Sequence, residues 1–228
     1  MFFKKKKERV KVAAIVLAAG QSRRMGEKKE FIEILDKPAL AYSLLAFQQT
    51  EIVDSIIVVT REQDILFVGD VVKAYDITKV TGIIAGGAER SDSVRRGLDE
   101  AKDADYFAIH DGARPCVTPE CIDAVITAAI DNKAATLAHR ATDTLKYAKD
   151  GAITGSVDRD DLWHIETPQC FAAPIIRKAH EGGARGTDDT GLVDVPVYVV
   201  ESNCNNIKIT VQSDLELAEA ILGGRQDV

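Results

Sequence analysis

A chain of 228 residues with 46% hydrophobic and 6% aromatic content is long enough to close a sizeable core without disulfide or metal staples. Its 36 Asp plus Glu outnumber 29 Lys plus Arg for a net charge of −7, which argues against a nucleic-acid coat or a basic membrane-surface protein. Residues 4–9 hold five positive charges and one negative, +4 together, so the remaining residues carry −11.

Residues 1–10 read as a basic N-terminal tail ahead of one domain spanning 11–228. The tail has no apolar h-region, and the longest apolar run after it, 12–19, is far shorter than the ~18 residues that suggest a membrane span. A cytoplasmic protein with neither membrane nor nucleic-acid partners is expected; a polybasic arm touching a membrane is the sharper alternative. Cys116, Cys121, Cys170 and Cys204 lack C-x-x-C spacing and read as reduced thiols. The four histidines are scattered singly, so neither a structural zinc site nor a zincin is indicated.

From residue 11 onward, short β-branched runs alternate with helical stretches, the pattern of βαβ units. Strands are expected over 12–18, 55–60, 81–86, 105–110 and 134–139, each a near-continuous apolar run suited to burial on both faces. Helices are expected over 38–49, 62–75, 91–102 and 118–132, the last opened by Thr118 as N-cap and Pro119 in the first turn. The fold class is therefore α/β and Rossmann-like, a mostly parallel sheet between helices. Past Arg140 the rhythm breaks. Asp150-Gly151, flanked by polar β-leaning residues, predicts a protruding β-hairpin arm over 140–160. A helix over 174–181, a Gly-rich loop over 182–191, a strand pair over 195–201 and 206–211, and a last helix with a Ser213/Glu216 capping box complete the chain.

The first strand runs into Ala18-Ala19-Gly20-Gln21-Ser22-Arg23-Arg24-Met25-Gly26-Glu27-Lys28-Lys29-Glu30-Phe31. In an open α/β sheet, ligands bind beyond the carboxyl ends of the strands, where small residues let backbone N–H groups approach a phosphate. Gly20 and Gly26 are one residue too far apart for a Walker A loop, and Gly-x-Gly-x-x-Gly is absent. What remains is a small-residue turn followed by two cationic pairs.

Ala18-Ala19-Gly20-x-Ser22-x-Arg24-Met25 with Lys29-Glu30-Phe31 downstream resembles the signature loop of sugar-phosphate nucleotidyltransferases. Seven further motifs follow in order: Gly86-Gly87-x-x-Arg90-x-Asp92-Ser93-Val94, His110-Asp111-Gly112-Ala113-Arg114-Pro115, Asp143-Thr144-x-Lys146, Val157-Asp158-Arg159-x-x-Leu162-Trp163, Thr167-Pro168-Gln169, Thr187-Asp188-Asp189 and Asn206-Ile207-Lys208-Ile209-Thr210. Together they resemble the 2-C-methyl-D-erythritol 4-phosphate cytidylyltransferases of the non-mevalonate isoprenoid pathway.

The resemblance implies transfer of CMP from CTP to a branched polyol phosphate with release of pyrophosphate. Arg24 and Lys29 are then expected to stabilise the transition state on the triphosphate side, while Arg159 and Lys208 hold the attacking phosphate. Ala18, Ala19, Gly20, Gly86, Gly87, Ser93, Asp111 and Gly112 are expected around the nucleotide, and Asp111, Arg114, Thr144, Thr167 and Thr187 around the polyol phosphate. Asp111 suits ribose or substrate hydroxyls or an outer-sphere metal role, and His110 reads as a hydrogen-bonded core histidine. Mg²⁺ or another divalent cation is expected with the phosphates, without a dedicated protein cage. A homodimer with interlocking arms is also implied. The loop departs from the family pattern at Lys28, where a proline often stands, and Asn205 replaces a frequent acidic residue. No cyclodiphosphate synthase domain follows Val228, so a fused bifunctional form is not expected. A ribitol- or other polyol-phosphate cytidylyltransferase is the near alternative, and a non-catalytic nucleotide-binding domain the remote one.

Overall fold

The computed structural model describes residues 9–20, 28–183 and 186–226. The expected catalytic Arg24 and the lysines of the basic tail lie outside the described residues. The elements run β1 (Val12–Ala18), β2 (Glu33–Ile34), β3 (Lys37–Pro38), α1 (Ala39–Gln49), β4 (Ser55–Thr60), α2 (Ile65–Ala74), β5 (Val80–Ala85), α3 (Arg90–Glu100), β6 (Tyr106–Asp111) and α4 (Pro119–Asn132). They continue through β7 (Ala134–Arg140), β8 (Lys146–Lys149), β9 (Ala152–Ser156), β10 (Trp163–Ala172), α5 (Ala173–His180), β11 (Tyr198–Glu201) and α6 (Gln212–Gln226).

Seven strands form one sheet in the order β11-β7-β10-β6-β1-β4-β5. All neighbours are parallel except β10, which runs antiparallel to both β6 and β7. Strand β1 lies inside the sheet, Ile15 facing Ile57 of β4 and Ile109 of β6 in register. Because side chains alternate along a strand, its apolar run feeds two cores. Val12, Ala14, Val16 and Ala18 pack with Leu40, Leu44 and Phe47 of α1 and Ile122, Val125 and Ile126 of α4. Ala13, Ile15 and Leu17 pack on the other face with Val94 and Leu98 of α3 and Ile176 of α5. Thr118 caps α4 by accepting from the Cys121 N–H at 3.4 Å, and the helix stops at Lys133, whose φ of 76° is left-handed.

The expected hairpin is present: β8 pairs antiparallel with β9, and Asp150 and Gly151 both adopt positive φ (51° and 82°), as a two-residue primed turn demands. Tyr147 and Ile153 on it are exposed.

Three expectations need correction. Strand β10 was not expected, because Glu166, Thr167, Pro168 and Gln169 interrupt its apolar pattern. It nonetheless spans ten residues in the sheet interior, with those polar groups bonded inside the protein. The segment expected as a strand over 206–211 is not part of a ladder: Ile209 N–H donates to Ala113 C=O at 2.9 Å, and β11 pairs with β7 instead. Before α6, the Asp214 carboxylate accepts from Thr210 N–H, Thr210 Oγ1 and Val211 N–H at 2.7, 2.6 and 2.9 Å. That turn stands where the Ser213/Glu216 box was expected. The expected face of the last helix holds, with Ala218 and Leu222 buried beside Ile34, Ala39 and Ile209.

Candidate active site

Beyond the carboxyl ends of β1, β5 and β6 lies a cavity of about 420 Å³. Ala19, Gly20 and Lys29 of the first loop, Gly87 and Ser93 of the second, Asp111 at the end of β6, and Lys208 line it. Local structure explains the convergence. Gly86 continues β5 through its N–H to Thr60 C=O at 2.7 Å, and Gly87 N–H donates to Ser93 Oγ at 3.1 Å. A Cβ at Gly86 would lie 2.7 Å from Ser93 Oγ and 2.8 Å from the Ala19 Cβ, so only glycine lets the two loops touch. Helix α3 then begins at the cavity wall with a capping box between Glu89 and Asp92. Its first-turn amides place positive partial charge there.

Lysines 28 and 29 separate cleanly. Lys28 forms an ion pair with Asp64, which also accepts from Arg61 Nε at 2.8 Å, whereas Lys29 lines the cavity. Lys208 Nζ donates to Asp111 Oδ2 at 2.5 Å, and Arg90 Nε stands 3.5 Å from Asp111 Oδ1. Burial by itself would raise the Asp111 carboxyl, but the charges of Lys208, Arg90 and Arg114 outweigh it and hold the group well below the usual carboxylate range. Burial alone would likewise lower Arg90; Asp189 and Asp111 more than offset it. Arg90 and the buried Glu30, which also line the cavity, were not assigned from the sequence. The Arg90 signal was available in Gly86-Gly87-x-x-Arg90.

Other expected residues sit behind or outside the cavity. Ala18 ends β1 in the core, and Gly112 N–H donates to Leu17 C=O at 2.8 Å, tightening the turn after β6. Thr167 is buried; its Oγ1 accepts from Asp111 N–H at 3.0 Å and lies 3.0 Å from His110 Nδ1. Arg114 donates to Asn206 C=O at 2.6 Å, and Asn206 Nδ2 donates to Glu166 Oε2 and Thr167 C=O at 3.0 and 2.7 Å. Burial lowers the Arg114 pKa, with Asp111 and Glu166 opposing. These bonds tie the segment carrying Lys208 to β6 and β10. Asn205 has a φ of 48°, a left-handed conformation that asparagine tolerates well. Thr144, Arg159 and Thr187 are exposed and do not line this cavity. Arg159 Nη1 donates to Thr142 C=O at the hairpin base at 2.5 Å, and Trp163 lies under Arg140, 4.4 Å from guanidinium to ring centre.

His110 is fully buried, its Nε2 has no hydrogen-bond partner among the described residues, and burial pushes its pKa down to about 4. It therefore stays neutral while the unfolded chain titrates near 6.5, so the unfolded state binds the extra proton. Stability is expected to fall between about pH 6.5 and 4, by roughly 3 kcal/mol for this residue at about 1.4 kcal/mol per pKa unit. Denaturant titrations at pH 7 and 4 on wild type and His110→Asn check this. The acid loss shrinks by about that amount in the variant; equal losses contradict it.

Among the described residues, no group of three or more His, Cys, Asp or Glu could hold a metal. The ionised Asp111 offers hard oxygens in the cavity wall, which fits the way Mg²⁺ is held by one or two carboxylates together with substrate phosphates rather than by a protein cage.

Residues 12–224 match the family described as IspD, 2-C-methyl-D-erythritol 4-phosphate cytidylyltransferase. A protein of that name from Lachnoclostridium phytofermentans is 41% identical over 229 residues, covering 95% of this chain and 98% of its own. One from Syntrophus aciditrophicus is 44% identical over 93% of this chain and 96% of its own. The crystal structure of 4-diphosphocytidyl-2C-methyl-D-erythritol synthase from Anaerococcus prevotii superposes with a TM-score of 0.83 at 30% identity, covering 94% of this chain and 96% of its own.

Proposed function

This chain belongs to the 2-C-methyl-D-erythritol 4-phosphate cytidylyltransferase family, and from that premise we propose that it joins CMP from CTP to 2-C-methyl-D-erythritol 4-phosphate. The products are 4-diphosphocytidyl-2-C-methyl-D-erythritol and pyrophosphate, and the setting is isoprenoid precursor synthesis in the cytoplasm. The observation that carries the reading is the convergence of Lys29, Arg90 and Lys208 with the Gly87/Ser93 turn on one cavity beyond the strand ends.

A phosphate monoester loses its second proton near pH 6, so the nucleophile arrives as an anion and needs no general base. One of its oxygens attacks the α-phosphorus of CTP, the bond from that phosphorus to the β-bridging oxygen breaks, and pyrophosphate leaves. Charge develops on the crowded phosphorus, and fixed cations are the groups that answer it. Lys29, with Arg24, serves the triphosphate side; Lys208, held on Asp111, and Arg159 hold the polyol phosphate. The Gly86, Gly87 and Ser93 turn receives base and ribose. Arg114 and Thr167 act from behind by fixing the Lys208 segment and the Asp111 backbone. Asp111 would hold a Mg²⁺ together with the substrate phosphates, and the ion would supply neutralisation of their charge.

Thr144 and Arg159 are exposed and do not line the cavity of their own chain, which supports a homodimer in which each exposed arm completes the other subunit's site. Mixing Lys29→Ala with Arg159→Ala tests this. Heterodimers then rebuild one intact site, and a freely exchanging pair is expected to recover about a quarter of wild-type turnover. No recovery despite confirmed subunit exchange, or full activity from a monomer in sedimentation, contradicts the arm exchange. The activity itself is tested by pyrophosphate release with CTP, ATP, GTP and UTP against methylerythritol and ribitol phosphates. Release with CTP and the methylerythritol substrate is expected. Preference for ribitol phosphate moves the chain to the neighbouring activity, and nucleotide binding without release reduces it to a binding domain.

A further inference from the structure

We propose that the buried Asp189–His180 pair is a positioning device that fixes Arg90 in the cavity wall and thereby leaves Lys208 on Asp111. The proposal rests on the cytidylyltransferase reading and adds to it two residues that do not line the cavity.

Arg90 is the first residue of α3 and lies between two carboxylates. Its Nη1 donates to Asp189 Oδ2 at 2.7 Å, while its Nε is 3.5 Å from Asp111 Oδ1. Lys208 holds the other Asp111 oxygen at 2.5 Å. The two cations are thus apportioned, Arg90 mainly to Asp189 and Lys208 to Asp111. Asp189 is fully buried and its placement is over-determined. Its Oδ1 accepts from Nε2 of His180 at 2.9 Å, and its N–H donates to Gln169 Oε1 of β10 at 3.0 Å. His180 ends α5 and is itself buried, with 2% of its side chain exposed. The chain of contacts therefore runs from the helix packed under the sheet, through a charge with no access to solvent, to a guanidinium at the cavity.

The arrangement is bistable in chemical terms. A guanidinium released from Asp189 has a second carboxylate within reach, and its planar fork pairs a carboxylate through two nitrogens. Bidentate pairing of Arg90 with Asp111 would compete with Lys208 for the same group. His180 stands against that exchange by holding the carboxylate that retains Arg90. It touches no substrate, so it is a positioning residue.

The test is a double-mutant cycle on the full-length enzyme, reading kcat/KM by pyrophosphate release with CTP and the methylerythritol substrate, alongside thermal melting and circular dichroism. His180→Leu is expected to lower kcat/KM about tenfold, within the range by which mutations along a physical coupling chain act. His180→Gln, whose amide keeps a donor for Asp189, restores most of it. In an Arg90→Ala background, His180→Leu is expected to cost nothing further, since nothing remains to be positioned. A merely structural histidine moves melting without this pattern. Full kcat/KM in His180→Leu, a Gln variant no better than Leu, or an equal loss with and without Arg90 each overturns the proposal. Should His180→Leu fail to fold, Asp189→Asn, which keeps an acceptor for His180 but removes the charge facing Arg90, is read in the same cycle with the same expected loss. Absence of pyrophosphate release by wild type would instead sink the functional reading, and the cycle is then read on the affinity for CTP with Mg²⁺.

Discussion

Lys29→Ala is expected to lower turnover by at least about a hundredfold while leaving the fold intact. A preorganised donor aimed at developing charge contributes about 3 to 4 kcal/mol, and each 1.36 kcal/mol is tenfold in rate. Lys29 lies on the cavity beside Gly20 and the β1 strand end, so its loss is expected to fall on the transition state rather than on packing. Lys28→Ala supplies the contrast. Lys28 is partly exposed and paired with Asp64, which retains Arg61, so its removal costs at most about 1 kcal/mol of stability and little turnover. Steady-state kinetics on the two variants check the assignment. Near-normal kcat in Lys29→Ala, or equal losses in both, would reverse it.

Asp111→Asn is expected to lower kcat/KM by about tenfold to a hundredfold, the range given by a lost charge-assisted hydrogen bond of about 1.5 to 3 kcal/mol. The carboxylate anchors Lys208 and faces Arg90; an amide leaves both cations without that anion. Its pKa is depressed in the folded state. The stability it contributes is therefore present above the unfolded carboxyl value near 3.9 and lost only as the pH falls below that. Across pH 5 to 9 the group is always ionised, so the ratio of wild-type to variant kcat/KM should stay flat. A ratio that changes through that window would show that Asp111 titrates during the reaction and would contradict the anchoring role.

The scaffold was legible wherever one physical signal dominated. The residues 12–18, 55–60 and 134–139 are near-continuous apolar runs, and each forms a strand of the expected type. The Asp150-Gly151 hairpin was legible for the same reason, since left-handed conformations at both turn residues suit that dipeptide. Strand β10 escaped because its middle serves the site's interior wiring: Glu166, Thr167 and Gln169 are buried with their polar atoms bonded to His139, His110, Asn206 and Asp189. Sequence periodicity reads such polarity as loop, whereas tertiary hydrogen bonds make it a buried strand.

The site divides in the same way. Lys29, Gly87, Ser93, Asp111 and Lys208 are brought together from four separate stretches of chain because each follows a strand end or is tied to one. Arg90 was visible in a motif but gave no hint of its two carboxylate partners, which lie 21 and 99 residues away. Asp189 stood in the Thr187-Asp188-Asp189 motif, but neither it nor His180 pointed to the other, since their pairing exists only in the folded chain. The global charge was equally silent about the cavity: a body at −11 outside the tail still presents Lys29, Arg90 and Lys208 at one opening. Net charge averages over a surface, and a cleft samples only its own lining.

The central claim is that the phosphate of the polyol substrate attacks the α-phosphorus of CTP directly. Its most direct test uses methylerythritol 4-phosphate carrying ¹⁸O in the phosphoryl oxygens, with products read by ³¹P NMR and mass spectrometry. Direct attack predicts a cytidine diphosphate ester with ¹⁸O in the bridge between its two phosphorus atoms and pyrophosphate free of label. Labelled pyrophosphate, or pyrophosphate released without the coupled diphosphate, would contradict it.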